Sequence, residues 1–174
     1  MKKLIVLAVV AFGLYSCQES AKIAFVDNSE LVNEYQEKKD LEAKIKGKIE
    51  NFQKYNDSIG RAFQLEVQTA QMKAAKMSKA KQDELMGQLQ QKQGMLQQQY
   101  QISEKAISEE SQALNDSLLN KVKDFVAEYG KTNGYDYILG KNEYVGTVYY
   151  GKEESDITKI LLDKLNEKYA AEKK

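Results

Sequence analysis

About a hundred consecutive residues, from Ser29 to Gly130, consist mainly of Gln, Lys, Glu and Ala, and the chain contains no proline to interrupt them. These residue types favour helix. One short apolar run, at 22–27, precedes this stretch, and two strand-like runs, at 135–139 and 144–150, follow it. Such a chain uses most of its residues for length and few for a core. The pattern is typical of a clamp or a spacer and rare in enzymes.

Apolar residues recur every three or four positions through both halves of this stretch, as they do on a helix with one buried face. In the first half they are Leu31, Tyr35, Leu41, Ile45, Ile49, Phe52, Tyr55, Ile59, Phe63, Val67 and Ala70. In the second half they are Leu85, Leu89, Leu96, Tyr100, Ile107, Leu114, Leu118, Val122, Phe125 and Tyr129. The whole segment 29–130 is therefore assigned to helix.

The apolar stripe disappears around Ser78, a residue type that caps helices well. The helices on either side, 29–77 and 79–130, are almost equal in length. We predict an antiparallel hairpin with its turn near 77–82 and arms about 75 Å long, because a helix rises about 1.5 Å per residue. The alternative is one continuous helix that dimerises. The hairpin is favoured because it brings the flanking strands together.

The remaining mature residues, 22–28 and 131–174, predict a small β body. The run 23–26 is apolar on both faces, as in a strand buried on both sides. The segment 140–143 predicts a turn between the two later strands. A final helix, capped by Ser155 or Asp156, carries Ile157, Ile160, Leu161, Leu165 and Tyr169 on one face.

Three short strands and one helix are too little to bury a self-sufficient core. We therefore expect copies of the same chain to complete the body. The candidate contacts between copies are the apolar strand residues Ile23, Phe25, Val26, Ile138, Leu139, Val145 and Val148. The predicted fold class is α+β, mostly α, with a long helical hairpin on a small β body that oligomerisation completes.

The first residues predict export. A basic start precedes the uncharged apolar run Leu4 to Leu14, which is too short to span a bilayer but suits a signal peptide at 1–16. Leu14-Tyr15-Ser16-Cys17 resembles the processing site of bacterial lipoproteins, so we predict that Cys17 carries lipid and that 17–21 form a short tether. An ordinary signal peptide cut elsewhere is the alternative. Gln18, in place of Asp, favours the outer membrane over the inner.

Several kinds of chemistry lack the residues they need. The chain has no histidine and only one cysteine, and it has no Gly-rich phosphate loop. We therefore expect no catalytic residue, no metal site and no cofactor. Removal of the signal peptide leaves 24 basic against 26 acidic side chains. That balance argues against binding to nucleic acid.

Three features of the hairpin are candidates for function. The flexible side chains Met72, Met77, Met86, Met95 and Tyr100 suit a surface that binds many sequences, and the alternative is gap-filling between the helices. Lys73, Lys76, Lys79 and Lys81 form a basic arm tip for acidic clients or anionic headgroups, or simply a solvated helix end. Gly60 and Gly94 lie level along the arm, as a soft point or as small residues at a close approach.

The order of these pieces resembles the Skp/OmpH family of periplasmic chaperones. The opening Lys22-Ile23-Ala24-Phe25-Val26-Asp27, the hairpin, Tyr135-Asp136-Tyr137-Ile138-Leu139 and Asp156-Ile157-Thr158 carry the resemblance, over about 22–169. It implies a homotrimer with a β body and three helical arms around a cavity. It also implies binding of unfolded outer-membrane proteins without ATP. This chain differs from the family's pattern in its predicted lipid and near-neutral charge.

Other functions are compatible with a long hairpin. A structural coiled-coil envelope lipoprotein, acting as a spacer or linker, needs the hairpin but no cavity. An efflux-pump adaptor would need lipoyl and barrel domains, for which the residues before the hairpin are too few. Prefoldin subunits place their strands between the helices, whereas here the strands lie outside them. A membrane-anchored periplasmic holdase is therefore the leading hypothesis, and the spacer is the alternative.

Overall fold

The computed structural model of the chain describes residues 20–142 and 147–173. The predicted signal peptide, Cys17 and Val145 lie outside these residues. The described elements are β1 (Ile23–Asp27), α1 (Asn28–Glu34), α2 (Gln36–Ala74), α3 (Lys79–Thr132), β2 (Tyr137–Lys141), a 3-10 turn (Glu153–Ser155) and α4 (Thr158–Glu172). Long helices with a small two-stranded sheet confirm the predicted α+β, mostly α class with its helical hairpin.

The hairpin is antiparallel, as predicted. Residue numbers rise along α2 as those of their contacts on α3 fall: Lys48 pairs with Glu110, Phe52 packs against Tyr100, and Glu66 pairs with Lys92. The alternative of one continuous helix was wrong, because the chain turns between Ala74 and Lys79.

The turn is closed by a different residue from the one predicted. Ser78 is the residue before α3, but its side chain makes no capping hydrogen bond. The amide Nε2 of Gln82 instead donates to the carbonyl oxygens of Ala74 and Met77, at 2.8 and 3.2 Å. Carbonyl groups at the end of α2, which have no partner within the helix, are satisfied in this way.

The sequence predicted a continuous first helix from Ser29, but the helix breaks at Tyr35, whose backbone is extended (φ −63°, ψ 126°). The Tyr35 side chain is completely buried, its ring packs edge-on against Tyr169 with centroids 5.9 Å apart, and its hydroxyl donates to Glu37. The gain from burying this large ring keeps the helix broken at that point. The unbroken part, α2, is therefore about 58 Å long, shorter than the predicted 75 Å.

The sheet consists of two parallel strands, with Ile23 opposite Tyr137 and Asp27 opposite Lys141. Its inner face, with Ala24 and Val26, packs on helices. That core cluster contains Ala24, Val26, Leu31, Tyr35, Leu118, Val122, Ile157, Leu161 and Leu165. The C-terminal part of α3, with Leu118 and Val122, thus belongs to the body, whereas its N-terminal part belongs to the arm.

The strand predicted at 135–139 begins two residues later, because the chain first closes the end of α3. Gly134 adopts a positive φ of 68°, and the N–H of Tyr135 donates to the carbonyl of Gly130 at 3.0 Å. This turn is a common way to satisfy the last carbonyl groups of a helix. The strand that follows extends to Lys141.

The prediction of a strand at 144–150 is wrong for the described residues 147–150, which have no regular secondary structure. There the hydroxyl of Thr147 donates to the carbonyl of Gly140 at 2.6 Å. Farther along, Gly151 lies against the ring of Phe25. The segment therefore crosses the outer face of the sheet. Beyond it, the N–H of Ile157 donates to the carbonyl of Phe25, at 3.0 Å.

Candidate functional site

The candidate site is the seam between α2 and α3 on the arm, which remains open near the body. A groove of about 1130 Å³ lies there. The apolar residues that line it are Leu41, Ile45, Ile49, Phe52, Tyr100 and Ile107. Ile49 and Tyr100 are 40% and 42% exposed, although the Phe52 and Tyr100 rings pack against each other with centroids 5.0 Å apart. Two helices alone leave these side chains half covered.

The sequence analysis assigned these residues to a buried helix face, and the structure leaves that face incompletely covered. No residue between 41 and 63, or between 96 and 114, is fully buried. The stripe in fact provides roughly one apolar residue per turn, whereas a well-buried helix face has three or four per two turns. That narrow stripe is the sequence signal for an open groove.

Ion pairs between the helices border the seam. Lys48 binds Glu110, and Lys92 binds Glu66. The hydrogen bond from Lys48 lowers the pKa of Glu110, so that this carboxylate stays charged. Pairs this exposed contribute little to stability. They fix which residues of the two helices lie opposite each other.

A second groove, of about 730 Å³, lies near the arm tip. It is bordered by Leu65, Met77 and Leu89, next to Ala70 and Ala74. Ala70, Ala74 and Leu89 are buried, because small alanine side chains let the helices approach closely there. The tip is therefore packed more tightly than the middle of the arm.

The predicted client-binding residues all have substantial solvent exposure. The exposed fractions are 68% for Met72, 37% for Met77, 39% for Met86, 56% for Met95 and 42% for Tyr100. A side chain as exposed as Met72 fills no gap between the helices. Of the five, Met77 borders the groove near the tip and Tyr100 borders the one near the body. The structure does not bring the other three into either groove.

The four lysines of the predicted basic tip are exposed around the turn. Lys79 pairs with Asp83 at 2.8 Å, one helical turn along α3. In the described ranges, Lys73, Lys76 and Lys81 form no salt bridge. The tip therefore carries unneutralised positive charge at the end of an acid-free segment, 67–82.

Sequence reasoning missed a polar brace at the root of the arm. Asp40 accepts hydrogen bonds from Lys173 and from the Tyr169 hydroxyl, and Lys121 bonds to Glu37 and Glu172. The bond from Lys173 is the main cause that lowers the pKa of Asp40 to about 2. Residues of the C-terminal helix thus hold the base of α2. The bonded residues are 51 to 133 positions apart in the chain, so no local pattern indicates them.

The residues predicted to contact other copies fall into two groups. Val26 and Phe25 are buried within the single chain, at 2% and 8% exposure. Ile23 and Leu139 are 49% and 42% exposed on the outer face of the sheet. Ile138 is half-buried beside Gly130, and Val148 is also half-buried. The outer face thus has an apolar surface that the described residues cover only around Phe25.

The described residues contain no cluster of carboxylate, cysteine or histidine side chains that could hold a metal ion. Among the helices of 20–142 and 147–173, none combines the length and apolar character needed to cross a membrane. The candidate site is a groove of half-exposed apolar groups with charged residues along its rims.

Comparison with known proteins connects this geometry to a family. The family model described as "Outer membrane protein (OmpH-like)" matches residues 22–165. No curated protein matches the chain. A crystal structure from Caulobacter crescentus CB15, of a protein provisionally described as an OmpH-like outer membrane chaperone, superimposes with a TM-score of 0.74. The match is 14% identical and covers 86% of each chain, so the two share a fold.

Proposed function

The chain belongs to the OmpH-like outer membrane protein family, and we propose that it is an ATP-independent periplasmic holdase chaperone for unfolded outer-membrane proteins. The observation that carries this proposal is the open seam of the arm. The long hairpin keeps apolar side chains half exposed in the groove near the body. Exposed apolar grooves with polar rims are typical of surfaces that bind other proteins.

Unfolded outer-membrane proteins suit such a surface because their strands alternate apolar and polar residues. Several weak apolar contacts along an arm can hold many different sequences, and the flexible methionines near the tip would add to them. Holding of this kind needs no nucleotide, since release requires only that the client fold elsewhere. The basic arm tip, Lys73, Lys76, Lys79 and Lys81, would attract acidic clients or anionic headgroups.

The cavity that encloses a client would come from three copies of the chain, joined through the outer face of the sheet. The exposed apolar residues Ile23 and Leu139 on that face support a homotrimer. The outer edge of β2 also supports a homotrimer, because among the described strands β2 pairs only with β1 and this edge could pair with another copy.

Leu139→Asp tests this assembly with a matched control. Leu139 is 42% exposed in the single chain, so a carboxylate there should disturb folding little but should disfavour a dry interface between copies. We expect the mass in solution to fall from three chains to one. Leu119→Asp, at a residue with the same 42% exposure on α3, should stay trimeric. A Leu139→Asp variant that remains trimeric would rule out this face as the interface.

We also propose that lipid on Cys17 anchors the protein, in the outer membrane more than the inner. The support is the signal-peptide pattern and the cysteine that follows it. Mass spectrometry of the native protein should find the acyl chains on Cys17, and Cys17→Ser should release the protein from membranes. An unmodified Cys17 thiol in the native protein would contradict the anchor and leave the holdase proposal intact.

An aggregation assay tests the holdase function. An unfolded outer-membrane barrel, diluted from urea, should scatter much less light when the wild-type protein is present. Ile49→Gln with Tyr100→Gln removes two exposed apolar groups from the groove near the body, and we expect several-fold weaker protection. Leu119→Gln, outside the groove but equally exposed, is the control. If the wild-type protein does not delay aggregation, the spacer hypothesis replaces the holdase.

A further inference from the structure

The chain enters the body at Lys22, which is fixed to the end of α3. The backbone N–H of Lys22 donates to Asp136 at 2.6 Å, and its side-chain ammonium donates to the carbonyl of Asn133 at 2.7 Å. The same ammonium lies 4.1 Å from the centroid of the Tyr135 ring. Asn133 directly follows α3, so its carbonyl belongs to the negative end of the helix dipole. These contacts fix the position at which the N-terminal segment leaves the body.

That position is remote from the arm tip. Helix α3 runs 54 residues from the tip at Lys79 to Thr132, which corresponds to about 80 Å. Both parallel strands start beside Lys22 and run back towards the root of the arm. We use the name tether pole for Lys22, the segment 131–136 at and after the end of α3, and Tyr137.

The tether pole carries exposed groups suited to a bilayer surface. Tyr137, the first residue of β2, is 61% exposed. Tyrosine combines an apolar ring with a polar hydroxyl and is enriched where hydrocarbon meets water. Lys131, in the last turn of α3, is exposed and forms no salt bridge within the described ranges. The segment that follows it is mainly polar, as suits a surface that rests among headgroups.

Cys17 lies five positions before Lys22, and five residues span at most about 17 Å. Given the proposed lipid on Cys17, the bilayer surface can never be farther than that from Lys22. We infer that the tether pole rests on the bilayer that holds the acyl chains, with the Tyr137 ring among the lipid headgroups. The arm then projects into the periplasm, where clients are unfolded. The anchor therefore orients the chaperone as well as retaining it.

Fluorescence quenching tests this contact, because the chain contains no tryptophan. Tyr137→Trp makes a single reporter at the tether pole. The mature chain, starting at Cys17, is coupled through its only thiol to phosphatidylcholine vesicles that contain a maleimide lipid. Phosphatidylcholine brominated near the headgroup then replaces the ordinary lipid. We expect at least a twofold loss of emission from the reporter tryptophan, because bromine quenches only at close range.

Tyr55→Trp is the matched control, since Tyr55 is 63% exposed but lies on the arm. Its emission should be the same in both kinds of vesicle. Equal quenching of the two variants, or of neither, would overturn the inference. The emission of the Tyr137→Trp variant could instead be blue-shifted without vesicles and not be quenched on them. That combination would show that a second copy covers Tyr137. That result would also overturn it.

The thiol coupling separates this inference from the proposed lipidation, on which it rests. It attaches Cys17 to a bilayer whether or not cells acylate that residue. The Tyr137→Trp variant could be quenched on coupled vesicles while Cys17 of the native protein is unmodified. These two results together would support the contact surface and refute the native anchor. Acylated native protein without quenching would refute the contact surface alone.

Discussion

The body and the arm are packed in different ways, although helices dominate both. In the body, helices from three parts of the chain and one sheet face bury a common cluster around Tyr35, Leu161 and Leu165, each at most 1% exposed. In the middle of the arm, two helices meet along a narrow apolar stripe and bury none of it completely. Packing between distant segments therefore shapes the body, whereas local helix propensity and a few cross-arm contacts shape the arm.

This difference separates stability from binding. The body concentrates the free energy of folding in a small cluster, so the arm does not have to bury its apolar groups to keep the chain folded. Those groups then remain accessible to a partner. The substitutions below test that division, beginning with the largest expected effect.

Leu161→Ala in the body should lower the free energy of unfolding by about 2–5 kcal/mol, because it leaves a cavity at a fully buried site. Leu65→Ala is the same change on the arm, where the side chain is 65% exposed, and it should cost about 0.5 kcal/mol or less. Urea unfolding followed by circular dichroism measures both values. Similar losses at the two sites would mean that the arm is packed as tightly as the body.

Gly151→Ala tests the packing on the outer face of the sheet. A methyl group on Gly151 would lie 2.8 Å from Cδ1 of the Phe25 ring and nearer still to Cε1. We expect a loss of about 1–3 kcal/mol, as is usual for overpacking. In a Phe25→Leu background the same change should cost less, because the obstructing ring is gone. Equal losses in both backgrounds would show that Gly151 does not depend on Phe25.

Gly60→Ala and Gly94→Ala should each stabilise the arm by about 1 kcal/mol, because glycine is a poor residue inside a helix. A methyl group at either position meets no atom within 4 Å, which argues against a close approach of the helices there. The two glycines lie between the cross-arm contacts Phe52–Tyr100 and Glu66–Lys92, and so at one level.

Hydrogen exchange tests whether that level is a soft point. Amides at 58–62 and 92–96 should exchange faster than their neighbours in the wild-type chain, and the double alanine variant should remove the difference. The variant should also accept a narrower range of clients in the aggregation assay. Uniform protection of both segments in the wild-type chain would exclude a soft point.

Asp40→Asn should have the smallest effect, at the root of the arm. The hydrogen bond from Lys173 lowers the pKa of Asp40 from 3.8 to about 2, so the folded chain binds a proton there less readily than the unfolded chain does. The ionised carboxylate therefore stabilises the fold above pH 3.8, and this contribution disappears as the pH falls towards 2. The stability difference between wild type and variant should shrink over that interval. A constant difference would show that the brace does not depend on this charge.

The helical hairpin of the arm and its turn can be predicted from the sequence alone. Helix propensity, the absence of proline and the loss of the stripe around Ser78 depend on residues within a few positions of each other, so they indicate the hairpin and its turn reliably. The first strand, the last helix and the family resemblance also followed from local pattern. The position of the turn alone implies that Gly60 and Gly94 lie at the same level along the arm.

Tertiary structure decided how the body is assembled. The break at Tyr35, the parallel pairing of β1 with β2 and the irregular segment 147–150 each depend on contacts between residues far apart in the chain. Lys22 and Asp136, for example, are 114 positions apart. The narrow width of the apolar stripe is a sequence signal for an open groove, but the extent of the groove required the structure. Periodicity shows which residues share a face and does not show how completely a partner covers them. Coverage depends on the distance between the two helices, and that distance depends on contacts between residues far apart in the chain, such as Phe52 with Tyr100.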